Sequence, residues 1–314
     1  MVSSEIIDEQ LGLPVGSIFK AGGVTSRHFA EGTLKQSTLA AQAVQAALIN
    51  AGVNLSQVDA LVAACGVPEQ AIPCNAVLIA RELNMDGMGV SAFDVNATCL
   101  SFLVALDSLA AQITVGRFKT VVLVAADLAS RGIDWTHRES ASIFGDGAAA
   151  FVLQYDETAQ SAVLATHLAT FPEGWNVCQI KAGGTEVNPR TRSDLDIQDF
   201  LFQMDGRAIF KLAAERVPVV FDEFWRRSGL SLDDIDWIAP HQASHLGLHH
   251  MRKLLNVPLE KVIDIYATHG NQVAASLPCA LHAGITQNKI KRGDTVMLMG
   301  TGAGLTVGIL ALRY

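Results

Sequence analysis

Three residues in this chain have the types and settings for carbon-carbon chemistry on a thioester: Cys99 in FDVNATCLSF, His241 in PHQAS and Asn271 in THGNQVAASLP. Cys99 falls where an extended run gives way to an apolar helix, expected from about Cys99 to Val115. A thiol placed there faces unpaired backbone N–H groups and the positive end of the helix dipole, which favour thiolate and bring pKa values to roughly 3.5 to 7.5. That makes Cys99 the candidate nucleophile, to be acylated on sulfur. His241 follows a short apolar strand, and Asn271 stands on a glycine-containing turn ahead of a helix. A neutral imidazole and a carboxamide each donate one hydrogen bond to a thioester oxygen, and two such donors stabilise an enolate without a metal. Taken singly, a loop histidine and an Asn beside Gly have ordinary capping and turn uses; the combination carries the chemistry.

The remaining cysteines, Cys65, Cys74, Cys178 and Cys279, are expected to be buried structural thiols. An odd total with no CxxC pair argues against a disulfide framework and against a zinc knuckle. His241, His245 and His249 are evenly spaced, but His241 precedes the expected helix start and no acidic residue accompanies the set, so no metal site is expected. FGDGA, from Phe144 to Ala148, leads into a strand rather than a helix and lacks the backbone cradle of a phosphate loop.

Positioning such residues takes a scaffold. Helical spacing in LKQSTLAAQAVQAALINAG, ending at Gly52, precedes the short buried-strand run VDALVAACG. The alternation continues with a helix at NAVLIARELN and strands at VSAFDV, KTVVLVAAD and GAAAFVLQ. After about residue 158 it begins again, with a strand at AVLATHLAT, a long helix through GRAIFKLAAERVPVVFDEFWRRSG and a strand at WIAPH. Helices at HLGLHHMRKLLN and AASLPCALHAGITQ and the runs TVMLMGTGAG and LTVGILALRY follow. This is an α/β pattern in two halves, residues 1–158 carrying the nucleophile and 159–314 carrying His241 and Asn271. RFKTVVLVAAD with FGDGAAAFVLQ, and RGDTVMLMG with TGAGLTVGILAL, close the two halves alike and point to an internal duplication. Residues 172–205, aperiodic and rich in Gly, Asn, Asp and Arg, are expected to form a long loop covering a site.

At 314 residues and 50% hydrophobic content the chain can fill two domain cores. A net charge of −8 offers no basic footprint for nucleic acid. No apolar stretch reaches the ~18 residues of a membrane span. The acidic start MVSSEIIDEQ is not a signal-peptide pattern, so a cytoplasmic enzyme is expected.

TCLSF around Cys99, IFGDGAAAFVL, MDGRAIFK, PHQAS, HGNQVAASLPCAL and the terminal GAGLTVG, in this order over nearly the whole chain, resemble the β-ketoacyl-acyl-carrier-protein synthase III family of thiolase-superfamily condensing enzymes. The resemblance implies a thiolase-like fold, two pseudo-equivalent five-stranded halves in a layered α-β-α-β-α arrangement, and a homodimer. It implies that Cys99 takes the acyl group of a primer thioester and that a malonyl thioester then enters and loses carbon dioxide. The resulting enolate would attack the acyl-cysteine, in fatty-acid initiation or a specialised fatty-acid or polyketide pathway. His241 and Asn271 would hold the malonyl thioester oxygen. The backbone N–H groups of Cys99 and of Ala303, which stands where the family usually has glycine, would form the oxyanion hole. Arg138, Gly206, Phe210, Ala243 and Ser244 would bind substrate. No cofactor is implied beyond the thioesters of coenzyme A or acyl carrier protein.

The sequence departs from the family pattern where coenzyme A would be held. Arg138 matches the Arg of the adenine sandwich, but Ser17 replaces its Trp, Ala21 replaces a second channel Arg, and Ser244 replaces the Asn of PHQAN. These changes favour a carrier-protein donor or a weakly held coenzyme A, with Lys211, Arg252 and Lys253 as contacts for an acidic carrier. Ile72 stands where the family sends a Phe across the dimer to close the partner's acyl pocket, which makes room for a longer or branched primer. It is also not the Glu base that head-to-head condensing enzymes and hydroxymethylglutaryl synthases place near there. The chain begins at what should follow the family's first strand. Two alternatives are acyl transfer to an oxygen or nitrogen nucleophile and condensation without decarboxylation, both disfavoured by the intact Cys, His and Asn set. A third, a non-catalytic acyl-binding subunit, would be expected to have lost Cys99 or His241.

Overall fold

A computed structural model of the chain describes residues 1–158 and 160–314. Ala159, taken above as the first residue of the second half, lies outside the described residues. The apolar runs form strands β1 (Ala60–Ala63), β2 (Ser91–Asp94), β3 (Thr120–Asp127) and β4 (Gly147–Gln154). They make one sheet in the order β2-β1-β3-β4, parallel except for β4. Strands β5 (Ala162–Gly174), β6 (Trp237–Pro240), β7 (Thr295–Gly302) and β8 (Gly304–Arg313) make a second sheet in the order β6-β7-β8-β5. There β6 and β7 are parallel, and β8 is antiparallel to both its neighbours.

The duplication is visible in this topology. Val262 adds an isolated parallel bridge to Ile238 on the outer side of β6. Val262, β6, β7 and β8 therefore repeat β2, β1, β3 and β4 in order and direction. Each sheet nonetheless has four strands where the resemblance implied five. In the second half Val262 makes a single bridge rather than a ladder. In the first half nothing among the described residues corresponds to β5.

The longer helices are α1 (Gln36–Ala51), α2 (Asn75–Glu82), α3 (Ser101–Thr114), α4 (Gly206–Ser228), α5 (His245–Leu254) and α6 (Ser276–Thr286). Side chains alternate across β3, so that Val122, Val124 and Ala126 meet Val44, Leu48 and Ile79 of α1 and α2 on one face. On the other face Val121, Leu123 and Ala125 join Leu103 and Leu109 of α3 and Leu277 and Leu281 of α6. The same central cluster reaches Val296 and Leu298 of the second sheet, while Met297 and Met299 turn outward onto Phe221 and Phe224 of α4 and Met251 of α5. The layers are thus α-β-α-β-α. Helix α3 lies between the two sheets, which is why its apolar residues run round most of its circumference instead of forming one stripe.

Residues 175–202 are largely without regular structure, as expected of a long loop. The segment is necked by a two-residue ladder, Cys178–Gln179 against Gln203–Met204. It seats Phe202 edge-on against Phe144 at a centroid distance of 4.9 Å. Among the described residues no helix is long and apolar enough to cross a membrane.

Candidate active site

Cys99 sits on the short link between β2 and α3, shaped by local polar contacts. Thr98 takes a left-handed conformation with φ 53°, and its N–H donates to Asn96 Oδ1 at 2.9 Å. Ser101 Oγ accepts the Ala97 N–H at 2.9 Å and donates to the carbonyls of Thr98 and Cys65. The helix starts at Ser101, so Cys99 precedes it instead of opening it. That corrects the expectation of a stabilised thiolate. Burial, the charge of Asp127 and the neighbouring Cys178 thiol push the Cys99 thiol up to about 12, against the opposing pull of the Cys99 and Ala303 backbone N–H groups. That environment favours the thiol over the thiolate. The two N–H groups that approach the sulfur are the pair expected for an oxyanion hole.

Glycines let the second half close onto this turn. A Cβ on Gly302 would come within 2.6 Å of Thr98 Oγ1, and one on Gly300 within 2.5 Å of the His241 Cβ and 3.3 Å of Leu100 Cδ2. Ala303 is carried to the nucleophile by the first approach, and His241 by the second. His241 is buried, and that burial alone pushes its imidazole down to about 4, so it is neutral at physiological pH. Its Nδ1 is enclosed without a partner. A proton there would leave an orphan N–H, costlier than an orphan lone pair, so the proton sits on Nε2.

Asn271 is buried and hydrogen-bonded to the turn that follows His241. Its Oδ1 accepts the Val273 N–H at 2.9 Å, which leaves Nδ2 as the donor end; one of its protons goes to the Ala243 carbonyl at 3.2 Å. The backbone of Asn271 is locked to the first half by Asn271 N–H to Ile143 O, 2.7 Å, and Gly145 N–H to Asn271 O, 3.0 Å. Val273 has φ 53°, an unusual conformation for a β-branched side chain, and it lies tightly against Gly66. Cys99, His241, Asn271 and Ala303 are therefore brought together from four separate segments.

The other expected residues are distributed around this centre. Gly206 opens α4 and Phe210 stacks on His250 of α5 at 5.2 Å. Lys211, Arg252 and Lys253 lie on the same two helices, and His249 of α5 is pushed down chiefly by Lys253. Ser244 caps α5, its Oγ accepting the Gly247 N–H at 3.0 Å. Arg138 does not stand free: Nη2 donates to the carbonyl of Ser17 at 3.0 Å, the residue at the missing Trp position. Ile72 is 86% exposed and takes no part in the site of its own chain. Among the described residues no group of His, Cys, Asp and Glu is placed to hold a metal ion.

Two further residues were not anticipated. The Glu139 carboxylate, next to Arg138, lies against Gly206 so closely that a side chain at 206 would collide with it. Asp127 is buried between the Cys99 and Asn271 turns. The signal for Asp127 was present in TVVLVAAD, where a carboxylate ends an otherwise apolar strand at its C-terminal edge, the usual side for function in such sheets.

Comparison with known proteins bears on the family and the fold. The family model for 3-oxoacyl-[acyl-carrier-protein] synthase III matches residues 93–172, and the model for its C-terminal part matches residues 225–314. A β-ketoacyl-[acyl-carrier-protein] synthase III of Ruegeria pomeroyi is 35% identical over 93% of this chain and 88% of its own length. The crystal structure of 3-oxoacyl-(acyl carrier protein) synthase III, FabH, from Pseudomonas aeruginosa superposes with a TM-score of 0.88 at 32% identity, covering 100% of this chain and 93% of that one. The corresponding Aquifex aeolicus structure gives 0.87 at 29% identity over 100% and 95%. Fold and site define a condensing enzyme of the thiolase fold. The chain belongs to the 3-oxoacyl-[acyl-carrier-protein] synthase III family and is an acyltransferase of that type.

Proposed function

We propose that the enzyme accepts an acyl group from a primer thioester onto Cys99 and condenses it with a malonyl carrier-protein thioester. In the first half-reaction the Cys99 sulfur attacks the donor carbonyl and gives up its proton, which leaves with the donor thiol. The backbone N–H groups of Cys99 and Ala303 receive the oxyanion. In the second, the malonyl carboxylate departs as carbon dioxide, and His241 Nε2 and Asn271 Nδ2 hold the enolate oxygen. The carbanionic carbon attacks the acyl-sulfur carbonyl, Cys99 leaves as thiolate and takes up a proton from solvent, and a β-ketoacyl thioester is released. The observation that supports this most is the convergence at Gly300 and Gly302 of a nucleophile turn, a neutral histidine and a backbone donor. The two side-chain donors perform the enolate stabilisation, so we propose no cofactor beyond the thioester substrates.

The donor we favour is acyl carrier protein over coenzyme A. With Arg138 engaged on Ser17 and Glu139 adding a negative charge beside Gly206, the channel mouth is poorly suited to a polyphosphate nucleotide. Lys211, Arg252 and Lys253 supply a basic rim for an acidic protein. Intact-mass measurement after exposure to acyl-carrier and acyl-coenzyme A panels, followed by malonyl carrier, tests both points. The expected outcome is faster acylation by the carrier-bound donor, weakening as salt is raised, with discharge of the adduct and release of carbon dioxide. An adduct that malonyl carrier does not discharge would favour acyl transfer to another nucleophile.

We also propose a cytoplasmic homodimer. Ile72, Val67, Val77 and Met88 are exposed apolar side chains on the segments flanking the edge strand β2, where a second copy would cover them and place Ile72 at the partner's acyl pocket. Sedimentation at micromolar concentration is expected to give twice the chain mass; a monomer would remove Ile72 from the site.

A further inference from the structure

Asp127 ends β3 and is 1% exposed. Its Oδ1 accepts the N–H groups of Gly66 and Val67, each at 3.0 Å. Its Oδ2 accepts those of Gly66 and Ala274, each at 3.1 Å. These donors belong to two turns of different function. Gly66 O accepts from Asn96 Nδ2 at 3.3 Å and Cys65 O from Ser101 Oγ at 3.1 Å, so the Gly66 loop is the floor of the Cys99 turn. Ala274 follows Val273, whose N–H fixes the Asn271 carboxamide.

Every partner of this carboxylate is an N–H donor. A protonated carboxyl would aim its O–H at groups that cannot accept it, so the contacts are built for the ionised form. That form is kept at a cost. Burial raises the Asp127 carboxyl to about 7, so its protonated form stabilises the fold below the unfolded value near pH 4, and that contribution is lost as pH rises through about 7. The titratable groups facing it are the thiols of Cys65, Cys99 and Cys279, each of which its charge pushes upward. A buried charge that destabilises the fold at working pH yet ties two active turns together marks a group retained for geometry.

We propose that Asp127 is a positioning residue: through Ala274 and Val273 it holds the Asn271 carboxamide in register with the Cys99 turn, so that the thioester oxygen of the carbon nucleophile is received beside the acyl-sulfur. This rests on the function proposed above.

The test compares wild type, Asp127→Asn and Asp59→Asn, the last removing a similar backbone clamp, on Lys119 and Thr120, at the start of β3. Carbon dioxide release from malonyl carrier, Cys99 alkylation by iodoacetamide and thermal unfolding at pH 8 are read on each. Asp127→Asn is expected to lower carbon dioxide release by about 10- to 100-fold, mostly in kcat. Alkylation at neutral pH should be unchanged or faster, because a negative charge has left the thiol's surroundings, and the unfolding temperature should not fall. Asp59→Asn should alter carbon dioxide release and alkylation little. In an Asn271→Ala background the Asp127→Asn change should have little further effect, as expected of residues acting as one unit. Release and alkylation falling together with a lower unfolding temperature would assign Asp127 a purely structural role and overturn the proposal, as would full additivity with Asn271→Ala. Should Asp127→Asn not fold, Asp127→Ser serves with the same expectations for release and alkylation. A wild type that releases no carbon dioxide overturns the functional reading and this inference with it; an active wild type beside an equally active Asp127→Asn overturns this inference alone.

Discussion

Cys99→Ala is expected to abolish the acyl adduct and to lower condensation by at least about 10,000-fold, while malonyl decarboxylation survives. The two effects separate because, in the proposed mechanism, the sulfur serves only the acyl group, whereas the malonyl oxygen is received by His241 and Asn271. Intact mass and carbon dioxide release on the same preparation check both halves; an adduct on the Ala variant would place the nucleophile elsewhere. The wild-type thiol has its own signature. With Cys99 pushed up to about 12, alkylation should rise about tenfold per pH unit from pH 6 to 9 without levelling. A plateau near pH 7 would mean that the thiolate is already stabilised, as the sequence alone suggested. In the proposed mechanism the Cys99 and Ala303 N–H groups act separately from the thiol's protonation, meeting charge as it develops on the substrate oxygen.

His241→Ala and Asn271→Ala are each expected to lower decarboxylation by about 100- to 1,000-fold, and the double variant by little more than the worse single one, since both donors serve one oxygen. The pH profile distinguishes their mode of action. Because burial pushes His241 down to about 4, no inflection of decarboxylation near the ordinary histidine pKa should depend on His241, and loss of neutral His241 should be felt only near pH 4. The sign for stability follows from the same shift: the neutral form favours the fold, so the contribution is whole above about pH 6.5 and is lost as pH falls through about 4. That loss amounts to about 3 kcal/mol at most. An activity limb at pH 6 to 7 that disappears in His241→Gln would show that His241 works as a charged acid or a base.

Much of this protein was legible in its sequence. Short apolar runs bounded by turns were read as strands and SFLVALDSLAAQIT as an apolar helix, and in the folded chain that helix packs against both sheets. Candidates for chemistry could be named too: Cys99, His241 and Asn271 sit where periodic runs break, and the family resemblance added Ala303. Local pattern carries that information since it depends on neighbours along the chain. The state of the thiol was decided otherwise. A helix N-terminus argued for thiolate, but the helix begins two residues later than that argument needs, and desolvation with the charge of Asp127, 28 positions along the chain from Cys99, outweighs the backbone donors. Glu139 against Gly206, Arg138 turned onto Ser17 and the Asp127 link between two turns are likewise products of segments that meet only in the folded chain. The sequence by itself determined which elements form and which residues are candidates for chemistry, and the family resemblance supplied the layering; the tertiary structure alone decided the protonation and alignment of those residues, because burial and electrostatic neighbours are properties of packing rather than of order along the chain.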